Sequence, residues 1–346
     1  MPLLNNRKMT VYPYIVQVAI GILFYYRLEL IRLLSSFYRN IFGRGESALD
    51  VPIKSVDSRS VTKVDDYWND HTVNSLPFST RWESEEYYNW LTWEYPLLSQ
   101  FMEFYKDRSG SVVLDYGCGP GNDIYRLLIR NKAKKVIGMD ISLKALDLAG
   151  KRMSLYAIDP VSLELIQISD SSAELPAEDS SIDYLNCSGV LHHTSTPDEI
   201  LMEFARVMKK QAYGHIMVYN EDSIFYHLYV AYLVMIIDKK YLTMDIKEAF
   251  SKSTDGEHCP ISQCYRSRDF IALCEKAGLL AEYKGGYFSQ SELRWFRKYF
   301  NKAIRDERLA IEHKDFLRSL KLDDEGFPMY IGKHAGIGGV YKISRM

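Results

Sequence analysis

Between Ser111 and Tyr219 the chain alternates short runs of β-formers with stretches of helical period. The runs are Ser111 to Leu114, Lys135 to Asp140, Leu163 to Ile168, Ile182 to Cys187 and Gly214 to Tyr219. Helical spacing follows the first run through Leu127, Leu128 and Arg130, and a helix is expected from Asp198 to Lys210. Strands this short and apolar, separated by helices and short connections, predict a parallel α/β sheet covered on both faces. The core of the fold is therefore placed at residues 111–219.

The flanks have a different pattern. Residues 9–26 contain no charged side chain, with Arg7 and Lys8 before them and Arg27 after. Eighteen residues lie at the lower limit for crossing a bilayer. From Arg27 the pattern turns amphipathic, with Leu30, Ile31, Leu34, Tyr38, Ile41 and Phe42 on one face and arginines among them. Residues 1–44 thus read as a hydrophobic to amphipathic helix. A membrane anchor or in-plane helix over residues 9–42 and a helix packed on the rest of the protein are both compatible with it. Residues 45–65 read as a linker, and residues 66–346 as the main domain. Two helical insertions are expected late in that domain, at 221–262 and 288–325. The second is long and charged, suited to covering a site or to homodimer formation.

The chemistry concentrates after the first strand, in Asp115-Tyr116-Gly117-Cys118-Gly119-Pro120-Gly121. Glycines at alternate positions let the backbone turn sharply and let a ligand approach the main chain. The helix that opens there presents unpaired N–H groups to an anionic ligand group. The second strand ends in Asp140, 19 residues past Gly121, placed to accept hydrogen bonds from both hydroxyls of a ribose. A third strand runs to Asp170, and the fourth leads into Ser188-Gly189-Val190-Leu191-His192-His193. Three acids at three successive strand ends favour ligand contact over three unrelated loop carboxylates.

In this order of motifs the chain resembles the class I S-adenosylmethionine-dependent methyltransferases, in particular their small-molecule, type 11-like branch, closely over residues 80–220. The resemblance implies a Rossmann-like, doubly wound sheet of seven strands. Strand six lies near Tyr283 to Tyr287, and strand seven, Gly339 to Ile343, is antiparallel beside it. It implies S-adenosyl-L-methionine as cofactor. Asp115 would take its ammonium, and the N–H groups of Gly117 and Gly119 its methionine part. Asp140 would hold the ribose with Ile141 against the adenine, Asp170 would accept from the adenine amine with Ser171 beside it, and Ser188 would face the methionine moiety. The segment before the first strand would act as a lid, which makes Tyr67, Trp68, Tyr87 and Tyr88 candidates for pocket walls. His192 and His193 follow strand four, where the acceptor would approach. Either could serve as a base if the acceptor is a hydroxyl.

Composition narrows the class. A net charge of −2 gives no basic field for nucleic acid, and no Asn-Pro-Pro-aromatic or Asp-Pro-Pro-aromatic motif follows strand four. The five cysteines contain no C-x-x-C pair, so no metal is expected, and a reducing, cytoplasmic setting is the default. A nicotinamide dehydrogenase would space its glycines G-x-G-x-x-G, whereas the spacing here is G-x-G-x-G. The expected function is O-directed methyl transfer to a small molecule at or near a membrane surface. A non-catalytic, methyltransferase-like protein that binds cofactor or serves as a scaffold is the alternative.

Overall fold

The computed structural model describes residues 51–56 and 60–346; the N-terminal stretch expected at 9–42 lies outside the described residues. The chain builds an eight-stranded sheet. Its members are β1 (Ile53–Ser55), β2 (Val112–Tyr116), β3 (Lys135–Asp140), β4 (Leu163–Gln167), β5 (Ile182–Ser188), β6 (Met208–Tyr219), β7 (Leu279–Tyr287) and β11 (Gly338–Arg345). Their order is β1-β4-β3-β2-β5-β6-β11-β7. The first six run parallel, and β11 pairs antiparallel with both β6 and β7.

β2 is central because it is apolar on both faces. Val113 and Leu114 are each fully buried, yet they belong to different apolar clusters, since successive side chains point to opposite sides of a sheet. Val113 packs with Ile124, Leu127 and Leu146, and Leu114 with Leu201, Phe204 and Phe270. Chain order reverses at β2, which has β3 on one side and β5 on the other. Such a switch point leaves a crevice at the carboxyl ends of the strands.

Before β2 lie helices α1 (Lys63–Asp70) and α2 (Arg81–Glu94), each opened by a capping box from Thr62 and Thr80. α3 (Asn122–Tyr125) follows the glycine turn and continues in wider π-type turns over Arg126–Arg130. α4 (Leu143–Ser154) and α5 (Pro197–Val207) cover the sheet. After β6 come α6 (Phe225–Ile237, π-type throughout), α7 (Ile246–Thr254) and α8 (Ser267–Lys276). After β7 come α9 (Gln290–Ala303) and α10 (Ile311–Ser319). β8 (Lys321–Leu322), β9 (Pro328–Tyr330) and β10 (Lys333–His334) form a separate three-stranded sheet. Leu228 of α6, Phe296 of α9 and Phe316 of α10 share a third apolar cluster. No helix among the described residues is long and apolar enough to cross a membrane.

Two boundaries differ from the sequence expectation. The stretch 45–65 reads as linker, yet Ile53–Ser55 joins the sheet as a parallel edge strand beside β4, helped by the Lys54–Glu164 ion pair. Three residues are too few to show a period in sequence. The helix expected to reach Lys210 stops at Val207, because Met208 onward extends β6 and Lys209 pairs with Asp183 across the ladder.

Candidate functional site

The crevice at the strand ends is a cavity of about 440 Å3. Its floor is the glycine turn. Gly117 has φ +71°, and a Cβ there would collide with the Val190 side chain. Gly121, at φ +80°, lies against Ala149 of α4, where a Cβ would be crowded. These positions require glycine for conformation and for space. The turn is held in shape by Asp140. Its Oδ2 accepts from Gly119 N at 2.8 Å and its Oδ1 from Ser142 N at 2.8 Å. Burial raises the Asp140 pKa, and those N–H bonds oppose the rise. Gly117, Gly119, Asp140, Ile141 and Ser188 all line the cavity, as the sequence places them.

Deeper in, four polar side chains form a knot. Asp115, 1% exposed, accepts from Asn186 Nδ2 at 2.8 Å through Oδ1, and its Oδ2 has no partner. The same Asn186 Nδ2 reaches Asp123 Oδ2 at 3.1 Å. Asp123 Oδ1 in turn accepts from Arg126 Nη1 at 2.5 Å, and the buried Arg126 keeps Nε and Nη2 unpartnered. Asp115, Asp123 and Arg126 all line the cavity. Burial, then the Asp123 charge, push the Asp115 pKa well above its ordinary value. An unpaired carboxylate oxygen and unpaired guanidinium N–H groups, both buried, cost stability unless something meets them. Asp123, Arg126 and Asn186 were not singled out from sequence. The only signal was the i, i+3 spacing of Asp123 and Arg126 just after the glycine turn.

Three of the sequence candidates are placed differently. His192 is fully buried away from the cavity, with neither ring nitrogen partnered; burial and the neighbouring His193 hold its pKa well below the ordinary imidazole value. It has no route to an acceptor, so of the two histidines only His193 is placed to act as a base. Ser171 is exposed outside the cavity, and its hydroxyl meets Ser169 Oγ at 2.9 Å. Asp170 does line the cavity, but its carboxylate is engaged by the N–H (2.9 Å) and hydroxyl of Ser195, and its own N–H donates to Asp65 at 3.0 Å. Of the four lid aromatics, Trp68 lines the cavity, with its ring 4.7 Å from that of His193. Tyr67, Tyr87 and Tyr88 pack elsewhere: Tyr67 on His71, Tyr87 on Trp90 and Tyr88 on Tyr125.

The far wall comes from outside the parallel core. Tyr219 ends β6, Phe225 begins α6, Asp255 follows α7, Ser289 caps α9, and Ile337 precedes β11. Glu292, buried and pushed up to about 8, accepts from Ser289 N at 2.7 Å and from Ile337 N at 3.0 Å, which locks this wall together.

Residues 107–258 match the family model of a methyltransferase domain. That segment, which holds the glycine turn and strands β2 to β6, is thus similar to methyltransferase domains. An uncharacterized protein of Synechococcus sp. is 33% identical over 136 residues, 39% of this chain and 31% of its own length. The tRNA U34 carboxymethyltransferase of Campylobacter lari is 29% identical over 152 residues, 44% of this chain and 47% of that protein. The chain thus spans about a third to a half of the length of these relatives. The solved structure of the Bacillus subtilis protein YcgJ aligns with 72% of this chain and 98% of its own, at 15% identity and a TM-score of 0.45.

Proposed function

We propose that the protein is a methyltransferase that binds S-adenosyl-L-methionine in this cavity and carries the methyl group to the hydroxyl of a small molecule. The observation that carries the reading is the pair of orphaned groups on the floor. The Asp115 Oδ2 acceptor and the Arg126 N–H donors are buried, unpartnered and of opposite charge. An amino-acid zwitterion has a matching ammonium and carboxylate, and charge-assisted hydrogen bonds are the strong kind. Asp140, fixed by two N–H bonds, keeps further lone pairs for a ribose diol. Ile141, Ile168 and Val190 supply apolar wall for a base.

The bound donor supplies a methyl group already activated by its sulfonium. The chain's own work is to orient the acceptor and exclude water. A small acceptor fits better than a nucleic acid, since the net charge is −2 and the cavity wall holds Asp115, Asp123, Asp140, Asp170 and Asp255 against Arg126 alone. The reading places the protein in the cytoplasm, with residues 9–42 as its contact to a membrane surface; recovery of full-length protein solely in the soluble fraction would remove that contact. Calorimetry of the full chain with S-adenosylhomocysteine, and NADH as control, tests the core of the proposal. Binding of the first alone is expected. Binding of neither returns the protein to the scaffold reading.

A further inference from the structure

The acceptor side of the cavity holds a second polar cluster that neither the glycine turn nor the strand-end acids explain. His193 Nδ1 lies 2.7 Å from the carbonyl oxygen of Ile261. A carbonyl oxygen only accepts, so Nδ1 carries the proton and, in the neutral ring, Nε2 keeps its lone pair. That Nε2 faces Asp255 Oδ2 at 3.4 Å. Asp255 is itself held in place: Tyr219 Oη donates to Oδ1 and Oδ2 at 3.1 and 3.0 Å, and Tyr67 Oη donates to its backbone carbonyl. The loop carrying Asp255 and Ile261 is bolted to the strand ends by Gln263 N to His192 O (3.0 Å) and Tyr265 N to Tyr219 O (2.9 Å). A lone pair set against a carboxylate is an unfavourable contact that a shared proton turns into a favourable one.

Resting on the methyl-transfer reading above, we propose that His193 and Asp255 form the proton-accepting pair for the acceptor, His193 Nε2 taking the proton and Asp255 holding the imidazolium that results. As the acceptor oxygen forms its bond to the methyl carbon, the donor's S–CH3 bond breaks and leaves a neutral thioether. The acceptor's O–H bond breaks, its electron pair stays on oxygen, and the proton passes to Nε2. No other reactant is required. The charged and titratable groups facing His193 are Asp255 and Cys259 from the loop after α7, Tyr219 from β6 and His192 beside it. Trp68 of α1 closes the remaining side. Burial lowers the His193 pKa and Asp255 opposes the drop, so the ring is neutral at neutral pH and able to accept. The pair acts on an acceptor whose attacking atom has a proton to lose. Phe225 and Ile337, which line the same cavity, suit an apolar body.

Nitrogen-15 NMR of full-length protein saturated with S-adenosylhomocysteine tests the assignment, with His193 identified by its loss in His193→Gln. The expected result at neutral pH is a neutral His193 ring protonated on Nδ1 with Nε2 bare, whose titration moves to lower pH in Asp255→Asn. A ring protonated on Nε2 in the wild type overturns the proposal, and so does a titration unchanged in an Asp255→Asn variant that binds S-adenosylhomocysteine normally. The wild-type tautomer is read without any variant, so a misfolded Asp255→Asn leaves the test intact. Failure of the wild type to bind S-adenosylhomocysteine sinks the methyltransferase reading itself; normal binding with the wrong tautomer sinks the pair alone.

Discussion

The floor of the cavity and its far wall solve different problems with similar groups. On the floor, Asp115 and Arg126 are rigidly placed with unmet hydrogen-bonding capacity, so the folded protein carries a cost that a ligand relieves. On the far wall, Glu292 is engaged by the N–H groups of Ser289 and Ile337 and Asp255 by the Tyr219 hydroxyl, and His193 sets Nε2 against Asp255. A floor with unmet groups suits tight binding of one fixed ligand. A satisfied wall suits positioning a second one. The contrast teaches where binding energy and where chemistry are expected to reside.

The largest effect should come from filling the floor. Gly117→Val places a β-branched side chain at φ +71° against Val190. Strain and overlap together amount to roughly 2–5 kcal/mol. Calorimetry should show S-adenosylhomocysteine affinity lost by more than about 100-fold, with a lowered melting temperature. Near-normal affinity would mean that the turn is not the binding floor.

Asp115→Asn separates binding from stability. It keeps the shape and the Asn186 neighbour but removes the acceptor for an ammonium, and affinity should fall by about 2–3 kcal/mol. The ligand-free variant should melt no lower than wild type, because burial and the Asp123 charge already disfavour the carboxylate that is being removed. The pH dependence has a definite sign. The folded, unliganded Asp115 binds its proton more tightly than in the unfolded chain. Its contribution to stability is therefore present below the unfolded pKa, about 4, and is lost as pH rises through the folded one. Cofactor affinity should climb over that same rise and be flatter in Asp115→Asn. An affinity of wild-type slope in the variant would assign the ammonium elsewhere.

Asp140→Ala tests the rim of the floor. It deletes the acceptor of Gly119 N and Ser142 N as well as the ribose contact, at about 1–3 kcal/mol of affinity. Adenosine, which has the ribose without the amino acid, should lose a similar share. If adenosine binding is unaffected, Asp140 shapes the turn without touching the sugar.

The same contrast explains how much could be seen in the sequence. The floor is local: a strand, a glycine turn and an acid at each strand end recur at fixed spacing, so Gly117, Gly119, Asp115 and Asp140 were visible by pattern. Arg126 was hidden because an arginine early in a helix ordinarily reads as a solvated side chain. Here Asp123 pairs with it, and the rings of Phe104 and Tyr88 lie over its guanidinium. The far wall is assembled from Tyr219, Phe225, Asp255, Ser289 and Ile337, which are spread over more than a hundred residues and carry no shared period. Asp255 sits in a loop and looks like any turn aspartate until Tyr219 and His193 are seen beside it. The edge strand Ile53–Ser55 was missed for the opposite reason: it is local but too short.

The smallest expected effect sharpens the one place where sequence offered two equal candidates. His192 and His193 are adjacent, and their rings approach to 4.1 Å between centroids. His192 packs against Tyr219 at 3.9 Å and is buried with neither nitrogen satisfied. An apolar residue of comparable size relieves that unmet polarity, which is worth about 1–3 kcal/mol, while losing part of the ring stacking, about 0.5–1.5 kcal/mol. His192→Leu should therefore change thermal stability by under about 1 kcal/mol, on the stabilising side, and leave S-adenosylhomocysteine affinity within about twofold. His193→Leu removes a nitrogen bonded to Ile261 O and facing Asp255, so it should destabilise. If His192→Leu proves the more damaging of the two, the buried ring has a partner that the ligand-free fold does not reveal, and the division of roles between the neighbours has to be reversed.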